Sequence, residues 1–180
     1  MRAAPLTTRR RLATLFLILA TTVGCDRVTK HLAESHLKGS PPRSFLGDSV
    51  RLQYAENLGA FLSLGDEWGP RTRFWALTAP SAVALLLVAV YVARGGASSL
   101  SSLVGFSLIL AGGLGNLWDR ALRQGQVTDF LILGLGELHT GVFNVADLAL
   151  TIGVVLVLAA RPRPAALERT LELLRQRRTS

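Results

Sequence analysis

The chain has 180 residues, 49% of them hydrophobic, and carries 20 basic against 12 acidic residues for a net charge of +8. A mean hydropathy of +0.37 with a pI near 11.2 argues against an ordinary soluble domain and for arginines held in loops beside membrane spans. The basic residues cluster at 9–11 and 161–178 and form no stripe interleaved with aromatics, so no nucleic-acid partner is expected. A single cysteine, Cys25, and three scattered histidines, His31, His36 and His139, leave no internal disulfide, no zinc motif and no metal cofactor to expect; the histidines read as solvated loop residues.

In chain order, the first apolar run covers residues 12–28 and ends in "TTVGCDRVTK", Thr21 to Lys30. Its Gly-Cys pair sits where a bacterial lipoprotein signal would be cut. Thr22, however, stands three before Cys25 where such signals prefer a larger aliphatic residue, and three more apolar runs follow, so the segment is expected to stay as a span. Asp26 and Lys30 are spaced i,i+4 on one helix face. An ion pair at the membrane surface, a few tenths of a kcal/mol at about the usual helix value, is the plain reading.

The next loop contains "SVRLQYAEN", where Val50, Leu52 and Tyr54 alternate with polar residues and predict a short strand. Asn57 and Gly59 of "AENLGAFLSLG" interrupt its end; Asn-x-Gly alone is a common turn. Residues 74–93 and 100–118 are the second and third spans, joined by a short loop carrying Arg94. In "AGGLGNLWDR", Gly112, Gly113 and Gly115 suit close helix packing, with Ala111 and Gly115 at small-xxx-small spacing. Asn116 and Arg120 follow at i,i+4, and Arg120 either complements the helix dipole or acts on a ligand.

"QVTDFLIL" predicts another strand, with Asp129 set among apolar neighbours. "FNVAD" opens the fourth span, 142–160, where Asn144 and Asp147 have capping-box spacing, a structural alternative to a site role. Asp129 and Asp147 flank one short outer loop and can converge as a carboxylate pair in which one group keeps a proton while the other acts as base. The tail, with leucines at helical spacing and basic residues near its end, reads as an amphipathic helix on the inner membrane surface or as a solvated segment. Four spans place both termini on one side, and the arginines before the first span, at Arg94 and after the fourth make that side cytoplasmic.

Two other chemistries are weighed against the carboxylate pair. A Ser-Lys hydrolase centred on Lys30 lacks a serine in any motif that would aim at it. A transporter using its acids as a proton relay would place them at mid-membrane, whereas Asp129 and Asp147 fall at the outer boundary.

Taken together, "DRVTK", "NLGAFLSLG", "GGLGNLWDR", "GQVTDF" and "FNVAD" span nearly the whole chain, and with them it resembles the lipoprotein signal peptidase (signal peptidase II) family. The resemblance implies one membrane α-helical domain over residues 1–180, with four transmembrane helices and a small extracytoplasmic β-sheet, in the bacterial inner membrane with its active site at the outer face. It implies an aspartic endopeptidase that cuts diacylglyceryl-modified prolipoproteins on the amino side of the lipidated cysteine. Catalysis falls to Asp129 and Asp147, without a cofactor. The supporting polar positions are Asp26, Lys30, Asn57, Gly59, Asn116, Arg120 and Asn144; the partners are lipidated prolipoproteins and membrane lipids, and a monomer is expected. Three departures stand out: Arg27 replaces the usual Gln, Phe61 comes one place early, and Leu148 stands where Ser is common.

Overall fold

The computed structural model describes residues 7–57 and 69–160. In order it contains α1 (Thr8–Leu37), β1 (Arg43–Phe45), β2 (Val50–Asn57), α2 (Pro70–Ala93), α3 (Leu100–Leu122), β3 (Val127–Leu135), β4 (Leu138–His139) and α4 (Val145–Ala159). The four expected helices and the small antiparallel sheet are all present. Gly59, Phe61, the loop around Trp68 and the basic tail from residue 161 lie outside the described residues.

Helices α1, α2 and α3 are long and apolar enough to cross a membrane. Helix α4 is apolar beyond its first turn, Thr151 apart, but has 15 residues, about 22 Å at 1.5 Å per residue, against the roughly 30 Å of a hydrocarbon core. It starts three residues later than the sequence suggested because Asn144 caps it. Helix α1 runs well past the expected end of the first span, to Leu37. Its last turns leave the apolar stretch without meeting a helix breaker, since Gly39 with φ of +77° is the first residue to force the chain out of helical geometry. Cys25 lies exposed within this continuous helix.

Burial is inverted relative to a water-soluble bundle. Leu12, Phe16 and Leu17 of α1 and Leu86 and Leu87 of α2 are exposed, while Asp26, Lys30, Asp119, Asp129 and Asn144 are among the most enclosed side chains. Apolar surface facing outward fits lipid, and ionisable groups turned inward fit the cost of placing charge in hydrocarbon.

Helix α3 is the centre of the bundle, and small residues let its neighbours approach. A Cβ placed on Gly112 would lie 2.3 Å from the Ala146 carbonyl oxygen of α4, and one on Gly115 would lie 2.8 Å from Asp26 Oδ2 of α1. Further along, Gly105 and Gly153 face each other across α3 and α4, each excluding a Cβ through the other's carbonyl oxygen. The predicted small-residue packing is present and brings the polar face of α1 against α3.

The sheet has the order β1-β2-β3-β4, all antiparallel. The β2–β3 register slips between Leu52 and Ala55; such a bulge re-aims the side chains beyond it. Past the bulge, Asn57 faces the stretch of β3 that carries Asp129. The residue before the α4 cap is also stitched to β3: Phe143 N–H donates to Leu131 O at 2.9 Å, and Phe143 O accepts from Leu131 N at 2.9 Å. This fixes the start of α4 against the strand two residues beyond Asp129. At the far end of the sheet, Asp48 accepts from Ser44 at 2.6 Å and from Arg51, and contacts His139 Nε2 at 3.1 Å. His139 thus ties β4 to the β1–β2 turn.

Candidate active site

Where the sheet meets one end of the helix bundle, Asn57, Asn116, Arg120 and Asn144 converge around Asp129 and Asp147. Asn144 is the hinge between those two. Its side-chain oxygen accepts from Asp147 N at 2.9 Å while its main-chain N donates to Asp147 Oδ2 at 3.2 Å, so the capping box read from the sequence is formed. The same residue turns its amide into the interior and donates to Asp129 Oδ1 at 2.6 Å. Capping and site roles were alternatives on the sequence, but the geometry makes them one arrangement.

Asp129 is 2% exposed. Its second oxygen, Oδ2, accepts from Asn57 Nδ2 at 3.0 Å across the strand pair. Burial pushes its carboxyl up to about 6, and the neighbouring charge of Asp147 adds to this; the Asn57 and Asn144 hydrogen bonds and the Lys30 charge pull the other way without cancelling it. Asp147 comes from the first turn of α4, and its Oδ1 accepts from Asn116 Nδ2 at 2.7 Å. The two carboxylates thus have separate amide donors on their outer oxygens and share Asn144 between them.

Behind the pair lies a buried charge cluster. Lys30 Nζ meets Asp26 Oδ2 at 2.8 Å and Asp119 Oδ2 at 2.9 Å, and donates to Asn116 Oδ1 at 3.1 Å. These contacts use the three N–H directions of an ammonium, which removes Lys30 as the free base of a Ser-Lys pair. Asp26 Oδ1 accepts from Ala146 N in the first turn of α4 at 3.0 Å. The Asp26–Lys30 pair therefore does form at i,i+4, with both side chains 1% exposed, because Gly115 lets α3 close over them.

Arg120 sits in the field of Asp147, Asp129 and Asp119, and its buried Nε finds no hydrogen-bond partner among the described residues. The Nε donor of a guanidinium in that field keeps a hydrogen-bonding capacity that no described residue takes up. Asp119 was not singled out from the sequence, although it forms ion pairs with both Lys30 and Arg27. An aspartate inside the last turns of an apolar helix was the signal that could have found it. Among the described residues no group of three or more His, Cys, Asp or Glu is placed to hold a metal ion.

Chemically, a proton-retaining carboxyl beside a second carboxylate, with each fixed by amide donors, can activate a water and return a proton to a leaving group. That capability fits the proteins this chain is similar to. The signal peptidase (SPase) II family profile matches residues 18–161. A lipoprotein signal peptidase of Brevibacillus brevis is 32% identical over 143 residues, covering 79% of this chain and 91% of the relative; one from Cronobacter sakazakii is 41% identical over 110 residues, covering 61% and 65%. A solved bacterial membrane enzyme superposes with a TM-score of 0.72 at 29% identity, covering 82% of this chain and 87% of that one. With the match running from the apolar part of α1 to the end of α4, the chain belongs to the signal peptidase II family of aspartic peptidases.

Proposed function

We propose that this protein removes the signal peptide from diacylglyceryl-modified prolipoproteins, cutting on the amino side of the lipidated cysteine with a water held between Asp129 and Asp147. The family's activity on prolipoproteins supplies the substrate class. The observation that carries the chemistry is the double engagement of Asn144, whose side chain holds Asp129 while its main chain holds Asp147.

In this mechanism Asp147, as carboxylate, takes a proton from the water, which attacks the scissile carbonyl. Asp129, whose carboxyl keeps its proton up to about pH 6 in the free enzyme, protonates the departing amine. Asn57, Asn116 and Asn144 hold the two carboxyl groups in register, and Arg120 is assigned to the substrate main chain. Fixed donors of this kind need no reorganisation as charge develops. Gly59, which lies outside the described residues, is assigned with Asn57 to substrate binding.

The protein is a multi-pass enzyme of the inner membrane. Both termini are assigned to the cytoplasm and the site to the outer face, because Arg94 lies at the opposite end of the bundle from Asp129 and basic residues mark the inner side. Reporter fusions after Arg94 should read inside and fusions at Asp48 outside; the reverse would overturn this orientation. The chain is assigned to act as a monomer embedded in lipid. The test of function is cleavage of a diacylglyceryl-modified substrate peptide by purified protein in the presence of EDTA, with Asp129→Asn and Asp147→Asn as controls. Turnover by either variant would remove the mechanism.

A further inference from the structure

Arg27 is the position at which the first motif departs from the family pattern, and the proposed chemistry leaves it without a task. Its side chain is 34% exposed, yet it pairs with Asp119, which is 1% exposed. Asp119 divides its two oxygens. Oδ1 takes Arg27, while Oδ2 contacts Lys30 Nζ at 2.9 Å and accepts from Thr128 N at 3.4 Å.

Those last two contacts lead to the two site carboxylates. Thr128 precedes Asp129 in β3. Lys30 donates to Asn116 Oδ1 at 3.1 Å, and Asn116 donates to Asp147 Oδ1 at 2.7 Å. An amide that accepts on its oxygen is obliged to present its N–H₂ on the other side, so Lys30, together with Asn144 Nδ2, which donates to the same oxygen at 3.1 Å, sets which way Asn116 faces. Without Arg27, Asp26 and Asp119 keep one contacting cation, Lys30, with Arg120 acting on Asp119 only through its field. An uncompensated buried carboxylate is costly, and the available response is for Lys30 to move onto Asp119 and off Asn116.

We infer that Arg27 is a positioning residue for the reaction: by occupying Asp119 Oδ1 it leaves Lys30 shared among Asp26, Asp119 and Asn116, which keeps the Asn116 amide aimed at Asp147. This rests on the assignment of Asp129 and Asp147 as the reacting pair. A glutamine at this position would offer Asp119 only a neutral donor, whereas Arg supplies the donor and the compensating charge together.

The experiment is steady-state cleavage of the same lipidated peptide by the purified full chain carrying Arg27→Met, Arg27→Gln or Arg27→Lys. Arg27→Met should lower kcat about tenfold while KM stays within about twofold, since misplacing a reacting group costs turnover rather than binding. Arg27→Lys should restore most of kcat, and Arg27→Gln should fall between. In an Asp119→Asn background Arg27→Met should add little further loss, because the two act through one contact. Wild-type kcat in Arg27→Met, or a loss that Lys does not rescue, overturns the inference. Should Arg27→Met fail to fold, wild-type kcat in Arg27→Gln overturns it and a partial loss rescued by Lys supports it. Failure of the dyad itself looks different: there Asp129→Asn would stay active.

Discussion

Asn144 donates its side-chain amide to Asp129 at 2.6 Å from a residue whose helical duty is to cap α4. The strand carrying Asp129 and the helix carrying Asp147 are therefore locked by one side chain, and its two duties can be separated. Serine is as good an N-cap as asparagine but is too short and lacks the amide. Asn144→Ser keeps the cap but removes the buried amide from Asp129 Oδ1, Asn116 Oδ1 and Thr128 O, so it should cost about 1–3 kcal/mol of stability and reduce turnover about 10²-fold, the scale of losing one fixed donor. Asn144→Ala should lose the same turnover and in addition about 1 kcal/mol of stability. Full turnover in the serine variant would reduce Asn144 to a cap.

The acidity of Asp129 makes the pH dependence predictable in sign. Burial raises its carboxyl to about 6, so Asp129 holds its proton below that pH and ionises above it. The profile of kcat/KM, which reports the free enzyme, should therefore fall as pH rises through about 6. Stability follows the same sign. Between about 4, where an unfolded aspartate releases its proton, and about 6, the native state holds a proton that the unfolded state has lost, so this group's contribution to stability declines as pH rises across that window. A kcat/KM that climbs from pH 6 to 8 would contradict the assignment.

The closeness of α3 and α4 is the third test. A Cβ on Gly112 would meet Ala146 O at 2.3 Å and Leu150 N at 3.1 Å, both main-chain atoms that cannot swing away. Gly112→Ala should cost about 1–3 kcal/mol, as overpacking does, and should lower turnover too, because Ala146 N holds Asp26 and Asp147 is the next residue. Gly24→Ala in α1, with open space around its Cβ position, is the matched control and should be neutral. Equal unfolding temperatures for the two variants would mean that α3 and α4 are not packed this way.

These cases also mark what the sequence could tell. Length and apolarity gave the helices, because a span has to satisfy its backbone alone and to be greasy over a fixed thickness. Short-range spacing gave the Asn144 capping box and the small-residue face of α3. Neither kind of signal reaches across the 92 positions between Arg27 and Asp119. The sequence set Asp26 and Lys30 on one face of α1 but not what lay opposite, so their enclosure by α3 was not legible in it. Asp119 was passed over for a related reason. Its meaning comes from α1 and β3, and only the folded arrangement supplies them.

The decisive prediction concerns the two aspartates themselves. Asparagine is nearly isosteric with aspartate, so Asp129→Asn and Asp147→Asn keep size while removing the group that exchanges a proton with water. Each should abolish cleavage in protein that still inserts and unfolds cooperatively. Were Asp147 only a first-turn carboxylate favoured by the α4 dipole, its loss would cost about 0.3–1 kcal/mol and spare turnover. Because a carboxylate pair works as a unit, the double variant should be scarcely worse than either single one. Two partial losses that multiply in the double variant would instead describe two independent supporting residues. The water would then have to be activated elsewhere, and Arg120, whose Nε has no partner among the described residues, would no longer face a reacting centre.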